Sequence, residues 1–96
     1  MLEYTTVFRR DLKRELKGPH KKTIPKLLQA VTDLLESGTP LPPAMLDHPL
    51  KGEYKGHRDC HLMNDMVLIY KIIIPAKADD ELIIQLTRLG SHSEIF

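Results

Sequence analysis

The clearest pattern in the chain is a helical repeat of apolar residues between positions 24 and 35. They are spaced three or four apart, as on one face of an α-helix: Ile24, Leu27, Leu28, Val31, Leu34 and Leu35. Gly38 is predicted to end this helix. Pro25 leaves its start open: the helix begins near Thr23 as N-cap, or an earlier turn bends at the proline.

A shorter helix is predicted before this one. Phe8, Leu12 and Leu16 recur at every fourth position in a charged background, which indicates a helix with one narrow apolar face. Gly18 is predicted to end it. The segment before it, residues 2–6, combines Tyr and Thr with a leucine and favours a short strand.

Three runs in the second half of the chain are typical of β-strands, at residues 54–62, 66–74 and 81–89. Short polar connections separate them, which favours antiparallel neighbours. In the last run Leu82, Ile84 and Leu86 alternate with other residues, so one face of that strand is predicted to be buried. Before these runs, residues 39–52 contain four prolines and are predicted to form an irregular loop that carries His48.

Together these elements predict an α+β fold in the order β-α-α-β-β-β, with two helices on one face of an antiparallel sheet. A chain of 96 residues is expected to form a single domain, residues 1–96. Cys60 is the only cysteine, which excludes an intramolecular disulfide and favours a reducing compartment. We expect a cytoplasmic protein without membrane contact, because no secretory signal or membrane-spanning run is recognisable.

Charge is distributed unevenly, although the formal total is only +1. Residues 1–26 contain eight Lys and Arg against three Asp and Glu, an excess of five positive charges. Residues 27–96 contain six against ten, an excess of four negative charges. A basic N-terminal region can follow a polyanion such as RNA, but it is also typical of helices that display solvated lysines.

The residues best suited to chemistry lie in the stretch that begins at His48. Alternation along the predicted strand places His57, Asp59 and His61 on one face and Cys60 on the other. If the Cys60 face covers the core, the two histidines and the aspartate face outward, where a substrate can reach them. A carboxylate beside a histidine holds the ring in one tautomer and favours its protonated form.

Three interpretations of this cluster remain open from the residues alone. An isolated Asp-x-His pair is most often a surface without function. A metal site is the second, since His48, Asp59, His61 and His92 are acceptable ligands, although no recognised metal-binding motif is present. The third is metal-free acid–base chemistry on a phosphodiester, for which two histidines and a cationic side chain suffice.

Three segments between Asp47 and Phe96 together resemble the YafQ branch of the RelE/ParE superfamily of bacterial type II toxins. They are "DHPLKGEYKGHRDCHL", "MNDMVLIYKI" and "TRLGSHSEIF". That branch shows the patterns D-H-x-L-x-G, K-G-x-R-[DE]-x-H and a final [ST]-H-x-x-[LI]-F in the same order. The resemblance implies a small RelE-like fold and an endoribonuclease that cuts mRNA in the ribosomal A site. It also implies inhibition by a cognate antitoxin protein, and we expect no cofactor or metal ion.

The functional positions of that branch fall on three histidines, two carboxylates and one aromatic residue: His48, His61, His92, Asp59, Asp65 and Phe96. We expect His48 or His61 to take the proton of the ribose 2′-hydroxyl. His92 is then expected to protonate the departing 5′-oxygen, leaving a 2′,3′-cyclic phosphate. The two aspartates are expected to orient histidines.

Three further side chains and Phe96 complete the expected site. Arg88 is expected to stabilise the charge on the phosphorane through a bidentate contact, with Lys51 or Lys55 assisting. Phe96 is expected to stack on a base, although the same residue also suits a plug against the core. The basic N-terminal helices are expected to approach ribosomal RNA.

Two other residues of the pattern have structural explanations: Arg58 is predicted to pair with a carboxylate, and Tyr70 to fill the core. Asn64 and Met66, on either side of Asp65, depart from the Pro and Trp that are usual there. A second function also remains open, in which the protein is a non-catalytic module that binds an antitoxin and helps it to repress an operon.

Overall fold

The computed structural model describes residues 1–96 and confirms the α+β class. The strands are β1 (Leu2–Tyr4), β2 (His48–Pro49), β3 (Arg58–Met63), β4 (Met66–Ile73) and β5 (Ile83–Gly90), and the helices are α1 (Thr6–Glu15), α2 (Ile24–Ser37) and α3 (His92–Ile95). The predicted order is present, with two additions, β2 and α3. None of the three helices has the length and apolar character that crossing a lipid bilayer requires.

All five strands form one sheet in the order β1-β5-β4-β3-β2. β1 is parallel to β5, and every other pair is antiparallel. The predicted strand over residues 54–62 was wrong at its start, because β3 begins only at Arg58. Residues 52–54 form a 3-10 turn, and Gly56 has a φ of +88°, so the extended run cannot begin earlier.

Local sequence explains the starts of both long helices and the end of α2, whereas α1 ends at Glu15, before the predicted Gly18. The side chain of Thr5 accepts a hydrogen bond from the Phe8 N–H at the start of α1, so the first strand ends at Tyr4. Thr23 is the N-cap of α2, with Pro25 in its first turn, which settles the open choice. Gly38 ends α2 with a φ of +73°.

Each face of the sheet carries its own apolar cluster. The larger cluster lies on the α2 side and includes Val31, Leu68 and Leu86. A smaller cluster of Val67, Ile69 and Ile95 covers the opposite face. Apolar side chains are therefore buried on both faces of the sheet.

A bulge in β5 decides which residues share each face. Tyr70 pairs with Leu86, whereas its neighbour Ile69 pairs with Arg88, so one extra residue lies between the two pairs. The bulge directs Arg88 away from the α2 side and returns Leu89 to the larger core. Ile84 and Leu86 are buried as predicted, but Leu82 precedes the strand and is exposed.

Candidate active site

The pairing of the strands aligns the predicted site residues in a row across one face of the sheet. His48 of β2 pairs with Asp59 of β3, Asp59 with Ile69 of β4, and Ile69 with Arg88 of β5. His61 lies on the same face, two residues further along β3. The two-residue strand β2 therefore places a histidine from an irregular loop beside a carboxylate of the sheet.

His48 is held in one tautomer by two acceptors. Its Nδ1 lies 2.7 Å from the backbone oxygen of Leu46, to which it donates, and 2.9 Å from Asp59 Oδ1. Asp59 Oδ1 lies off the axis of the Nδ1–H bond of His48, so it makes an ionic contact and not a hydrogen bond. Because neither acceptor can donate, Nδ1 carries the proton in both charge states of the ring. Nε2 is consequently the atom that can bind or release a proton.

Asp59 is buried, contrary to the predicted outward position. Only 2% of the residue is exposed, because the cluster around Ile69 and Ile95 covers this face of the sheet. Burial raises the pKa of Asp59, and the positive charges of His48, His61 and His92 oppose that shift. Asp59 can therefore act on a substrate only through the histidines around it.

His92 has a carboxylate partner of its own. Its Nδ1 lies 3.0 Å from Asp65 Oδ1, and its backbone N–H donates to the same oxygen at 3.2 Å. These hydrogen bonds lower the pKa of Asp65. The His92 ring also lies 5.1 Å from the His61 ring, centroid to centroid. The structure thus brings all three predicted histidines and both predicted aspartates into one site.

An aromatic row extends this site beyond the histidines. The Phe96 ring lies 6.0 Å from the His92 ring and 6.0 Å from the Tyr54 ring, and 58% of Phe96 is exposed. Phe96 is therefore a free surface beside His92 and not a plug in the core. Tyr54 was missed in the sequence because the strand assigned to residues 54–62 concealed the 3-10 turn that carries it.

Arg88 faces the site, but one of its two bidentate edges is already occupied. Its Nε and Nη2 donate to the carboxylate of Asp11 at 2.7 and 3.3 Å, and only 18% of its side chain is exposed. Nη1 is turned toward the hydroxyl of Tyr54 at 3.4 Å. Asp11 thus takes the Nε/Nη2 edge, and a bidentate contact to a phosphate has only the Nη1/Nη2 edge, which faces Tyr54.

Asp11 itself was missed by the sequence reasoning. It is fully buried and accepts hydrogen bonds from Arg88, from the backbone N–H of Leu89 at 3.0 Å and from Arg14 at 3.1 Å. A signal was present, since Asp11 follows Phe8 by three residues and so shares its apolar face of α1. A carboxylate on a buried helical face requires partners.

The two predicted lysines lie at the border of the site. Lys51 and Lys55 are exposed on either side of the turn that carries Tyr54, and neither forms a salt bridge. Both are therefore available to an anion. Cys60 points to the opposite face and is buried, and this burial raises its pKa to about 12, so it is not a competing nucleophile.

The structural roles predicted for Arg58 and Tyr70 are confirmed. Asp47 accepts hydrogen bonds from the Arg58 guanidinium at 3.2 and 3.3 Å and from the Tyr70 hydroxyl. Tyr70 belongs to the larger core. This network fixes the chain immediately before His48 and so supports β2.

Helix α3, which carries His92, depends on contacts with α1. A four-residue helix has little stability of its own. A capping box between Ser91 and Glu94 closes its first turn, and Glu94 Oε2 also lies 3.1 Å from Arg14 Nε. Arg14 donates in addition to the backbone oxygen of Leu89 at 3.0 Å. This contact requires glycine at position 90, because a Cβ there would lie only 2.9 Å from Arg14 Nη2.

We expect Glu94→Gln to slow the RNA cleavage expected from the sequence, without unfolding the protein. Glutamine preserves the capping box but loses the ionic contact with Arg14, so the His92 side chain is held less firmly. The expected loss is about 3- to 10-fold in the single-turnover rate. Both groups are partly exposed, and the loss of stability stays within about 1 kcal/mol.

Glu36→Gln is the matched control for this variant, because Glu36 also forms an exposed salt bridge but lies far from α3 along the chain. Rates are compared at a temperature at which all three proteins are fully folded by circular dichroism. Equal rates for the two variants would show that the contact between Arg14 and Glu94 does not position His92.

Comparisons with known proteins agree along the whole chain. A family model described as "Bacterial toxin of type II toxin-antitoxin system, YafQ" matches residues 1–96. The mRNA interferase toxin YafQ of Escherichia coli (strain K12) is 34% identical over 95 residues, covering 99% of this chain and 94% of that protein.

Solved structures are similar over the same length. The metal-bound toxin from Helicobacter pylori has 41% identity and a TM-score of 0.81, with 100% of this chain and 98% of that chain covered. A chain of the Escherichia coli DinJ-YafQ toxin-antitoxin complex has 33% identity and a TM-score of 0.77, with 100% and 96% covered.

Proposed function

The chain belongs to the YafQ family of toxins of bacterial type II toxin–antitoxin systems, and from this premise we propose that it is an mRNA interferase inhibited by a cognate antitoxin protein. Its Escherichia coli relative is an mRNA interferase toxin, and a similar structure comes from the DinJ-YafQ complex. We further propose that residues 1–96 form one catalytic unit of the RelE/ParE superfamily and cut mRNA in the ribosomal A site.

One observation carries the mechanism: two histidines each bind an acidic side chain through Nδ1 and leave Nε2 free. These pairs are His48 with Asp59 and His92 with Asp65. In the proposed reaction His48 Nε2 takes the proton of the ribose 2′-hydroxyl, and the 2′-oxygen attacks phosphorus. His92 Nε2 gives a proton to the 5′-oxygen as the bond from phosphorus to that oxygen breaks. The products are a 2′,3′-cyclic phosphate and a 5′-hydroxyl end.

His48 is a better base than His61 because its ring is held in position. The backbone oxygen of Leu46 and the carboxylate of Asp59 orient His48 from two directions. His61 lies beside His92 and is proposed to bind a non-bridging oxygen of the phosphate in its protonated form. Lys51 and Lys55 are proposed to bind neighbouring phosphates, while Arg88 acts as a positioning residue that links Asp11 to Tyr54.

The basic N-terminal region is proposed to bind ribosomal RNA. Its exposed cations lie on α1, on the start of α2 and on the segment between these helices: Arg9, Arg10, Lys13, Lys17, Lys21, Lys22 and Lys26. Binding there holds the toxin beside a message that the ribosome has already positioned.

No step is assigned to a metal ion, although one of the similar structures is a metal-bound toxin. No group of three or more His, Cys, Asp and Glu side chains in this chain is arranged to hold a metal ion. The residues therefore do not fit a metal centre.

We expect cleavage of a ribosome-bound message to leave 5′-hydroxyl ends and to resist 1,10-phenanthroline. The 2′-oxygen is the nucleophile, so phosphorus stays at the 3′ end of the upstream fragment. The downstream fragment begins with a 5′-hydroxyl, which accepts phosphate from polynucleotide kinase directly. Phenanthroline removes transition metals and leaves the magnesium that ribosomes need. Ends that accept phosphate only after phosphatase treatment, or activity lost with the chelator and restored by zinc or copper, would contradict the proposal.

A further inference from the structure

A groove opens beside His61, next to the acid–base cluster and not used by the mechanism. Its volume is about 420 Å³, within the range of pockets that bind small ligands. Met45, Leu46 and Met63 are among its apolar lining residues, and Asn64 is the one residue of the lining with a side-chain amide. The groove therefore combines flexible apolar side chains with a single amide, and it shares His61 with the catalytic site.

Leu46 is held in an unusual conformation at the mouth of this groove. It is the only residue other than glycine with a positive φ, +52°, and 57% of it is exposed. Backbone strain of this kind persists where the surrounding structure requires it, and it is concentrated at functional sites. Here the conformation turns the backbone oxygen to His48 and presents the apolar side chain to the groove.

We propose that this groove binds a nucleobase of the message, that of a nucleotide adjoining the cleaved phosphate; the inference rests on the ribonuclease function proposed above. A base has two apolar faces, which the thioethers of Met45 and Met63 and the side chain of Leu46 cover. The polar edge of the base meets the amide of Asn64, which can both donate and accept. With a base in the groove, the attached phosphate reaches the imidazoles through His61.

A nucleobase fits this position better than a side chain of a protein partner, because the groove shares His61 with the catalytic cluster. Phe96 offers a second exposed apolar surface beside His92. The two surfaces thus adjoin different histidines, with Leu46 next to His48 and Phe96 next to His92. A dinucleotide with its bases on these surfaces carries the phosphate between them to the histidines.

The four methionines provide a direct test. Protein labelled with ¹³C at the methionine methyl groups is titrated with 2′-O-methyl trinucleotides of each base, which cannot be cleaved because the 2′-oxygen is blocked. We expect the methyl signals of Met45 and Met63 to shift upfield as a base stacks on them, in step with the imidazole signals. Met1, in a separate pocket at the start of β5, serves as the internal control and stays unchanged.

Leu46→Asn tests the same site without changing the backbone that holds His48. Asparagine accepts a positive φ but removes the apolar side chain. We expect it to weaken trinucleotide binding at least about fivefold. Leu82→Asn, at another exposed leucine, is the matched control and leaves binding unchanged.

Three results would overturn the inference. If the imidazole signals move while those of Met45 and Met63 do not, RNA binds the catalytic site and its base lies elsewhere, so only the inference fails. If the methionine signals respond to the antitoxin and to no trinucleotide, the groove is a protein interface. If no signal moves with any trinucleotide, both the inference and the proposed RNA binding at this site fail.

Discussion

Replacing His92 with alanine lowers the rate of message cleavage by about 10²- to 10⁴-fold, the contribution of one well-placed acid–base side chain. His92 is the group placed to protonate the departing oxygen, and its Nδ1 is held by Asp65, so no other imidazole is oriented to replace it. The measurement is the single-turnover rate on ribosome-bound message. Induction of the variant in bacteria is also expected to leave growth unimpaired.

Ser93→Ala is the control, because Ser93 is an exposed neighbour in the same short helix and its hydroxyl forms no hydrogen bond with an imidazole. It is expected to keep nearly the full rate. A His92→Ala protein that still arrests growth would favour the alternative function, a non-catalytic module that acts by binding an antitoxin.

Asp11→Ala is expected to cost about 3–5 kcal/mol of the free energy of unfolding, as the removal of one partner of a buried ion pair does. The change leaves the largely buried guanidinium of Arg88 without its carboxylate. It also leaves the N–H of Leu89 without an acceptor. Equilibrium unfolding in urea measures the loss. Asp33→Ala, at an exposed helical carboxylate, is the control and is expected to cost less than about 0.5 kcal/mol.

The Asp11 carboxylate makes the free energy of unfolding depend on pH in a defined direction. Burial alone would raise the pKa of Asp11, but the hydrogen bonds from Arg88 and the Leu89 N–H and the charges of Arg88 and Arg14 lower it below the ordinary 3.8. The contribution of Asp11 to the free energy of unfolding is therefore complete above pH 3.8. It is lost as the pH falls through the lower pKa of the folded state. Equal acid sensitivity of wild type and Asp11→Ala would contradict this role.

The elements with strong local signals were predictable from the sequence. The helical repeat of Val31 and its neighbours, Pro25 in the first turn and the glycine at position 38 fix α2 through local preferences within a few residues. The missed elements lack such signals. β2 has only two residues and exists because β3 pairs with it, and α3 has four residues held by the capping box and by Arg14.

The candidate site was predictable in its residues but not in their surroundings. Motif order pointed to the three histidines and two aspartates, yet nothing local shows that Asp59 is covered by the second apolar cluster. The bulge in β5 depends on the register of two strands, and it decides that Arg88 faces Asp11. These are properties of distant contacts, which a periodic pattern does not record.

The central claim, that separate imidazoles serve as base and acid at one phosphate, is tested most directly by replacing the departing 5′-oxygen with sulfur. A thiolate leaves without protonation because its conjugate acid is far stronger than an alcohol. On this substrate we predict that His92→Ala reacts within about tenfold of wild type, whereas His48→Ala remains slow by about 10²-fold or more. Equal rescue of both variants, or of neither, would contradict the division of roles.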